Sequence, residues 1–424
     1  MAVHGVKLID KCRVCSSQDL VPIFSLGELY VSDFIENPSE ESLTKAPLDL
    51  VLCDESRGGC GLLQLKHTVS HELMYRNYWY RSGMNKTMTE ELYGIARKAE
   101  SLVSLSPGDF VLDIGANDGT LLRGYTAKGI NLIGFEPAAN LAKYNREGTT
   151  KIIDNFFNFS DWQKEFGEAK AKIITAIAMF YDLDEPNVFV SDIKKCLHPE
   201  GIFIIQMSYL ASMLSQNAFD NICHEHLEYY SLLSLENLLK RHGLEVFDVE
   251  LNDVNGGSFR IYTKHKNSGH SIKITKQAKR RVDYLRNNEK KLGLNNPKIY
   301  YDFAQRVHII KDQLFNFIKN EVENGKKVFI YGASTKGNTL LQFFNLDNKW
   351  IEAAAERNPD KFGKKTIGTL IPIISEEEAR SHKPDYFLVL PWHFLKEFQE
   401  READYLKSGG KFIVPLPDFI VIEA

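Results

Sequence analysis

The sequence predicts an α/β protein in three pieces: a small cysteine-rich unit, a domain on a mostly parallel sheet, and a second α/β domain. Three observations carry this reading. Four of the six cysteines, Cys12, Cys15, Cys53 and Cys60, crowd the N-terminal end. From Phe110 onward, short apolar runs alternate with helical segments, the pattern of buried parallel strands joined by crossover helices. The same alternation restarts after Lys326, again with a glycine-bearing turn behind its first strand.

Composition sets the outer limits. Of 424 residues, 43% are hydrophobic and 25% charged, enough for several cores and unlike a disordered polymer. Fifty-two basic and 56 acidic residues leave a net charge of −4, so nothing argues for nucleic acid as a partner. No apolar run approaches the roughly 20 residues that cross a bilayer. The N-terminus lacks the charged-then-apolar pattern of a signal peptide. A cytoplasmic protein without a membrane partner is expected; oligomeric state is left open, with a monomer the simplest case.

The first piece spans residues 1–74. Cys12-Arg-Val-Cys15 has the spacing by which two thiolates grip one tetrahedral ion from a tight turn. The second pair, Cys53 and Cys60, is looser, but Gly58 and Gly59 permit the bend back. In a cytosolic chain such a cluster points to zinc more than to disulfides. Four thiolates leave no open coordination position, so this ion would be structural. Short strands are expected at Val21–Leu26 and Leu48–Leu52.

The second piece spans residues 75–270. It opens on an aromatic stretch, Tyr75 to Met84, and a helix over 87–103. Strands are expected at Phe110–Ile114, Asn131–Phe135, Lys172–Ala178 and Gly201–Gln206. Asn255-Gly256-Gly257 then turns a hairpin between Glu245–Leu251 and Phe259–Thr263. Parallel strands closed by one antiparallel hairpin is the layout of a Class I methyltransferase, a Rossmann-like fold; a nicotinamide-binding domain is expected to stay parallel.

The turn after the first strand, Asp113-Ile114-Gly115-Ala116-Asn117-Asp118-Gly119, differs from the dinucleotide pattern G-x-G-x-x-G. Glycines let a ligand approach the backbone. Asp113 and Asp118 repel phosphate and attract a sulfonium, so S-adenosylmethionine suits this loop better than NAD. Glu136 ends the second strand, where a carboxylate accepts ribose hydroxyls. Asp154 and Asn155 follow the third strand and face the adenine edge. The plainer reading is a cofactor-free domain in which Asp113 satisfies backbone amides.

After the fourth recognised strand, Phe219 to Tyr230 packs two histidines, three carboxylates and two tyrosines together. His224-Glu225-His226 invites a metal reading, but alternate residues share no helix face and a third ligand is missing. An acid–base cluster fits better, since histidine titrates near neutrality and a carboxylate can orient it. A polar cap before a helix over Ser234–His242 is the bland alternative.

The third piece spans residues 271–424. Residues 271–324 read as charged and helical, broken into two helices at Asn295-Asn296-Pro297; Phe303, Val307, Ile310, Leu314, Phe317 and Val322 recur at three or four residues, so one face packs. Strands follow at Lys326–Tyr331, Trp350–Ala355, Tyr386–Leu390 and Lys411–Val414. Between the first two, Gly332-Ala333-Ser334-Thr335-Lys336-Gly337-Asn338 exposes amides at a helix start and adds a lysine, an arrangement that suits phosphate. Arg357, after the next strand, adds a second cation. A packing platform is the alternative.

Taken together, the four cysteines, the Asp113–Gly119 loop, the Phe219–Tyr230 segment and Gly332–Asn338 resemble the nucleotide-sugar 3-C-methyltransferases, three-domain enzymes of branched deoxysugar synthesis. The resemblance spans essentially the whole chain. It implies a substrate that is a nucleotide-linked 4-keto-6-deoxyhexose, dTDP- or GDP-linked, methylated at C3 through an enolate. It also implies His226 as the base, Glu225 as its acidic partner, and Tyr80, with Tyr78 the alternative, as a tyrosine at the site. Gly332, Ser334, Lys336, Asn338 and Arg357 would then hold the nucleotide, while Tyr80, Tyr181 or His224 donate to the enolate oxygen. Two positions depart from the family pattern: Cys223 stands where many members have tyrosine, and Tyr181 where relatives carry histidine. Methylation of oxygen or nitrogen on a small acceptor is the rival activity, and a non-catalytic sugar-nucleotide binding protein the rival class.

Overall fold

The computed structural model describes residues 5–36, 43–76, 78–268 and 272–424. The expected boundary between residues 270 and 271 lies outside them, as does Asn77 of the aromatic stretch.

Near the N-terminus, β1 (Leu20–Tyr30), β2 (Lys45–Cys53) and β3 (Leu63–Leu65) form an antiparallel sheet that buries Phe24, Leu26, Leu48, Leu50 and Leu52. Helix α1 (Lys86–Leu102) follows, started by Asn85, whose side chain accepts from Thr87 and Met88 N–H. The central sheet comprises β4 (Phe110–Ile114), β5 (Asn131–Phe135), β6 (Lys151–Ile153), β7 (Ala171–Ile177) and β8 (Leu197–Ser208). After β9 (Glu228–Tyr229), it is completed by β10 (Leu244–Asn252) and β11 (Ser258–His265).

Its order is β10-β11-β8-β7-β4-β5-β6, and β11 alone runs antiparallel. This is the Class I methyltransferase sheet. Both faces are covered, which is why its strands are continuous apolar runs: Val111, Ile173 and Ile204 pack under α1, while Leu112, Ile174 and Phe203 face the opposite layer. The turn at Asn255–Gly257 has positive φ at all three residues, 54°, 80° and 107°, as the expected hairpin requires.

Strand β9 belongs to a different sheet. It pairs with β3, Glu228 opposite Gln64 and Tyr229 opposite Leu63, so the N-terminal sheet reads β9-β3-β2-β1.

Helices α2 (Lys276–Leu292) and α3 (Pro297–Glu323) meet at the expected break, with Gly293 left-handed behind one and Asn296 capping the other. On α3, Phe303, Val307, Ile310, Leu314 and Ile318 are buried, whereas Phe317 and Val322 are only partly covered. Then come β12 (Val328–Tyr331), α4 (Thr335–Phe344), β13 (Ala354–Glu356), β14 (Ile373–Ser375), β15 (Tyr386–Val389), β16 (Lys411–Val414) and β17 (Ile420–Ile422). They form a sheet ordered β14-β13-β12-β15-β16-β17, parallel up to the last strand. Strand β13 starts later than the expected Trp350 because Trp350 and Ile351 turn back onto the Asp347 carbonyl.

The pieces share cores. Phe24 and Leu50 of the N-terminal sheet pack in one cluster with Phe303 of α3 and Phe343 of α4. Cys12, Cys53 and Leu62 pack against the central sheet's layer. The short strand Phe34–Ile35 also pairs with Lys365–Thr366.

Candidate active site

In both parallel sheets the strand order reverses beside the first strand, at β4/β7 and at β12/β15, the point where such sheets bind ligands. One cavity of about 580 Å³ runs between the two switch points.

The loop after β4 forms its first wall. Gly115 has φ 70°, and a Cβ there would meet Met179 Cγ at 3.2 Å. Gly119 has φ 79°, and a Cβ would stand 2.9 Å from the Asn145 carbonyl oxygen. Glu136 accepts from Asn117 N–H at 2.7 Å and from Ala138 N–H at 2.9 Å, one bond to each oxygen, which leaves lone pairs for a ligand. Asp113 accepts from the Thr175 hydroxyl at 2.6 Å. Burial pushes both carboxyls up to about 7, an acidic environment that a cationic ligand would relieve. The cradle and its charge fit S-adenosylmethionine.

Two loop residues act differently from expectation. Asp118 does not line the cavity: it caps Thr120 and accepts from Gly83 N–H at 2.8 Å. Gly119 sits behind the wall as the helix N-cap. Asn117 lines the cavity while its side chain bonds the Tyr80 carbonyl and Ser82 N–H, both at 3.0 Å. The loop thus fastens the aromatic stretch across the cleft, with Tyr78 and Tyr80 on the cavity wall. Asn155 also lines it, its amide nitrogen held by Asp161 at 2.8 Å.

The catalytic segment turns at Cys223–Glu225, where His226 N–H donates to the Cys223 carbonyl at 3.1 Å, and is then fixed at Leu227. Leu227 N–H donates to the Tyr181 carbonyl at 2.9 Å, and Leu65 N–H donates to the Leu227 carbonyl at 2.8 Å. The chain then enters β9, so the N-terminal sheet positions the loop. An extended chain would hold residues two apart on one face; the turn instead parts the two histidines. His226 lines the cavity; its Nδ1 lies 2.8 Å from the Asn221 carbonyl oxygen. That bond puts the ring proton on Nδ1 and leaves Nε2 with the lone pair. Burial, then the charge of Lys336, holds this imidazole well below its ordinary range, hence neutral. His224 faces away: its Nε2 meets the Ala46 carbonyl at 3.0 Å, and it is absent from the cavity wall. The expected donor role of His224 is therefore corrected, its ring being spent on the N-terminal sheet.

Tyr181 packs on His226 with ring centroids 4.1 Å apart and lines the cavity beside Cys223 and Glu225. Asp182, which the sequence reading left out, also lines it. Asp182 Oδ1 and Glu225 Oε2 are buried without hydrogen-bond partners among the described residues. Burial pushes both carboxyls up, and Glu225 adds repulsion at Asp182.

The far wall is the loop after β12, and it repeats the first in opposite charge. Gly332 N–H donates to Ala355 O at 2.8 Å as Gly115 N–H donates to Phe135 O at 2.9 Å. Glu356 accepts from Ala333 N–H at 3.0 Å, as Glu136 does from Asn117. Here, however, Lys361 stands 3.4 Å from Glu356, and Lys336 and the exposed Arg357 line the same wall. Ser334 caps α4 by accepting from Gly337 N–H at 3.0 Å. Asn338 is off the wall; its amide nitrogen donates to the Asp33 carbonyl at 2.8 Å and ties α4 to the N-terminal piece. Lys336 donates to Asn221 Oδ1 at 2.8 Å, a contact that no motif marks.

Apart from the cavity, the four N-terminal cysteines converge, their sulfurs all within 4.8 Å of one another. Cys12 and Cys60 sulfurs are 3.6 Å apart, and those of Cys15 and Cys53 3.4 Å. At Gly59 a Cβ would stand 2.7 Å from Cys53 Sγ, so the tight bend needs glycine. Thiols this close cannot all ionise unaided: neighbouring sulfurs hold Cys12 down and push Cys60 up. A tetrahedral dication would accept all four as thiolates.

Comparison with known proteins agrees with this architecture. Family models match in three successive stretches: a zinc binding domain over residues 12–75, a methyltransferase domain over 88–249, and a C-methyltransferase C-terminal domain over 253–417. Among solved structures, N-methyltransferase NodS from Bradyrhizobium japonicum WM9 covers 43% of this chain and 97% of its own, at 12% identity and a TM-score of 0.32. A chain of the Haloferax volcanii complex between the Trm112 methyltransferase activator and a methyltransferase covers 44% and 95%, at 17% identity and TM-score 0.35. C-methyltransferase NovU from Streptomyces niveus is 30% identical over 422 residues, 99% of this chain and 98% of its own. With that likeness running end to end, the chain belongs to the C-methyltransferase family and is an S-adenosylmethionine-dependent methyltransferase.

Proposed function

We propose that this enzyme methylates C3 of a nucleotide-linked 4-keto-6-deoxyhexose, dTDP- or GDP-linked, in branched deoxysugar synthesis. One observation carries the reading: a neutral imidazole with a fixed tautomer stands on the wall of a cavity whose two loops have opposite charge. Methylating carbon needs a carbanion, which amine methylation does not, and a carbonyl next to the reacting carbon makes its proton removable. Two phosphates on the substrate suit the basic loop at Gly332–Lys336 and Arg357.

In this reading Asp113, Gly115, Asn117, Glu136 and Asn155 hold S-adenosylmethionine, which supplies an electrophilic methyl when bound. His226 Nε2 takes the C3 proton. Tyr181, which is buried, and Tyr80, which is exposed, donate to the oxygen on which negative charge grows. Glu225, with Asp182 beside it, faces the same sugar. Cys223 stands where a tyrosine would reach in; either Tyr181 supplies the lost hydroxyl or the sugar substituent differs from that of relatives with tyrosine. Cys12, Cys15, Cys53 and Cys60 hold one zinc ion that closes the N-terminal fold.

The test incubates the protein with labelled S-adenosylmethionine and a panel of dTDP- and GDP-linked 4-keto-deoxysugars in heavy water. Label in the sugar, with deuterium washing into C3, is the expected result. Transfer to oxygen or nitrogen without ring-carbon deuterium would replace this reading with heteroatom methylation. Absence of S-adenosylmethionine binding by calorimetry would point to a binding protein instead.

A further inference from the structure

The C-terminal domain reaches into the base. Lys336 stands at the start of α4, in the loop assigned above to the nucleotide, yet its ammonium donates to Asn221 Oδ1 at 2.8 Å. Ser208 Oγ donates to the same oxygen at 3.0 Å. Asn221 is 2% exposed, and its amide nitrogen is held by the Ala218 carbonyl at 3.0 Å. Its main-chain carbonyl accepts the His226 Nδ1 proton at 2.8 Å. Two short hydrogen bonds in series, Lys336 to the Asn221 side chain and the Asn221 carbonyl to His226, therefore join the nucleotide loop of one domain to the imidazole of another.

We propose that Lys336 is a positioning residue for His226: it anchors Asn221, whose carbonyl sets the imidazole's tautomer and aim, so the base is complete only with the C-terminal domain docked. This rests on the reading of His226 as base. Anion binding alone would not require the contact with Asn221, since a phosphate-clasping lysine is better left unpaired. The consequence is a link between the two ends of the substrate. A nucleotide seated on Gly332–Thr335 fixes the loop carrying Lys336, and through it the ring that must meet C3.

Other titratable groups line the space around His226: Tyr181 and Asp182 after β7, Tyr209 after β8, Asp220, Cys223 and Glu225 near it in the chain, and Glu228 and Tyr229 of β9. Lys336 is the cation whose field reaches the ring. A positive neighbour disfavours imidazolium, so removing it raises the pH at which the ring takes a proton.

The experiment compares K336M and K336R with the native enzyme in kcat, KM for the sugar nucleotide, S-adenosylmethionine affinity and the pH profile of kcat. For K336M the expected result is a kcat loss of at least about tenfold, the scale of losing a group that orients a ligand or base. Cofactor affinity should stay unchanged, and the acidic limb should move to higher pH. K336R keeps a cation and a donor, and should recover most of kcat and return the limb. Raised KM with kcat and limb unchanged would overturn the proposal and leave Lys336 a phosphate clasp. So would K336M and K336R sharing one kcat and one limb. A substrate-free readout separates this from the reading it rests on: the His226 ring, followed by nitrogen NMR, should protonate at higher pH in K336M. If the native enzyme methylates none of the keto-sugar panel, the function fails; an unmoved ring in K336M sinks the positioning role alone.

Discussion

Replacing His226 by asparagine isolates the work of one nitrogen. The new amide nitrogen lies near the place of Nδ1 and can still donate to the Asn221 carbonyl, 2.8 Å away in the native chain. The loop's main anchors, Leu227 on Tyr181 and Leu65 on Leu227, are backbone bonds and survive. What disappears is Nε2 and the ring face against Tyr181. A positioned general base contributes about 10²- to 10⁴-fold, which is about 3–5 kcal/mol of activation free energy. The missing half-ring leaves a small void at a 7% exposed site, costing on the order of 1 kcal/mol and a few degrees of Tm. Chemistry and folding are therefore separable by size. Methyl transfer, measured by single turnover at saturating cofactor, should drop by at least about 100-fold. S-adenosylmethionine affinity, measured by calorimetry, should hold, since Asp113 and Glu136 stand at the rim of other strands. Solvent deuterium should no longer enter the sugar carbon. A rate within about threefold of native, far short of a general base's contribution, would refute the role of His226. Deuterium exchange continuing at the native rate after transfer has stopped would refute it equally.

Three further outcomes are expected. Asp113 and Glu136 have carboxyls raised to about 7 by burial, and a sulfonium prefers them ionised. Cofactor affinity should therefore fall as pH drops from 8 to 6, by up to about tenfold per unit for each coupled proton; pH-independent calorimetric affinity would contradict this. Replacing Cys12 or Cys60 by serine should lower the metal content from about one ion per chain, by elemental analysis. It should also depress both Tm and methyl transfer, because β3 holds β9 and β9 ends the catalytic loop; full activity in a metal-free variant would contradict that coupling. Gly119→Ala places a Cβ 2.9 Å from the Asn145 carbonyl at φ 79°, and should cost about 1–3 kcal/mol in thermal unfolding; an unchanged Tm would show that the loop relaxes freely.

Much of this is legible in the amino-acid sequence. Strands at Phe110–Ile114 and Asn131–Phe135 fall where their apolar runs begin and end, because both faces of the sheet are covered. The helix break at Pro297 is local chemistry, a proline that cannot sit inside a helix. The opposite facing of His224 and His226 was hidden, since residues two apart share a face of an extended chain and only the turn at Cys223–Glu225 parts them. Strand β9 was hidden too: two residues carry no periodicity, and their partner lies in another domain. The partner of Lys336 was equally hidden. A glycine-bearing turn with a lysine suits phosphate by composition, whereas its bond to Asn221 depends on how two domains dock. Asp182 was passed over beside Tyr181 because a lone carboxylate after a strand has no motif to mark it.

The sharing of strands has a consequence for synthesis on the ribosome. The N-terminal sheet leaves the exit tunnel before its partners: its outer row of amides waits for residues 228–229, and Phe34–Ile35 waits longer still for residues 365–366. Contacts so distant along the chain are slow to close, and an open strand edge invites foreign pairing meanwhile. The N-terminal sheet thus stays unfinished until five strands of the central sheet have been made, and a chain truncated before residue 228 would carry that edge permanently.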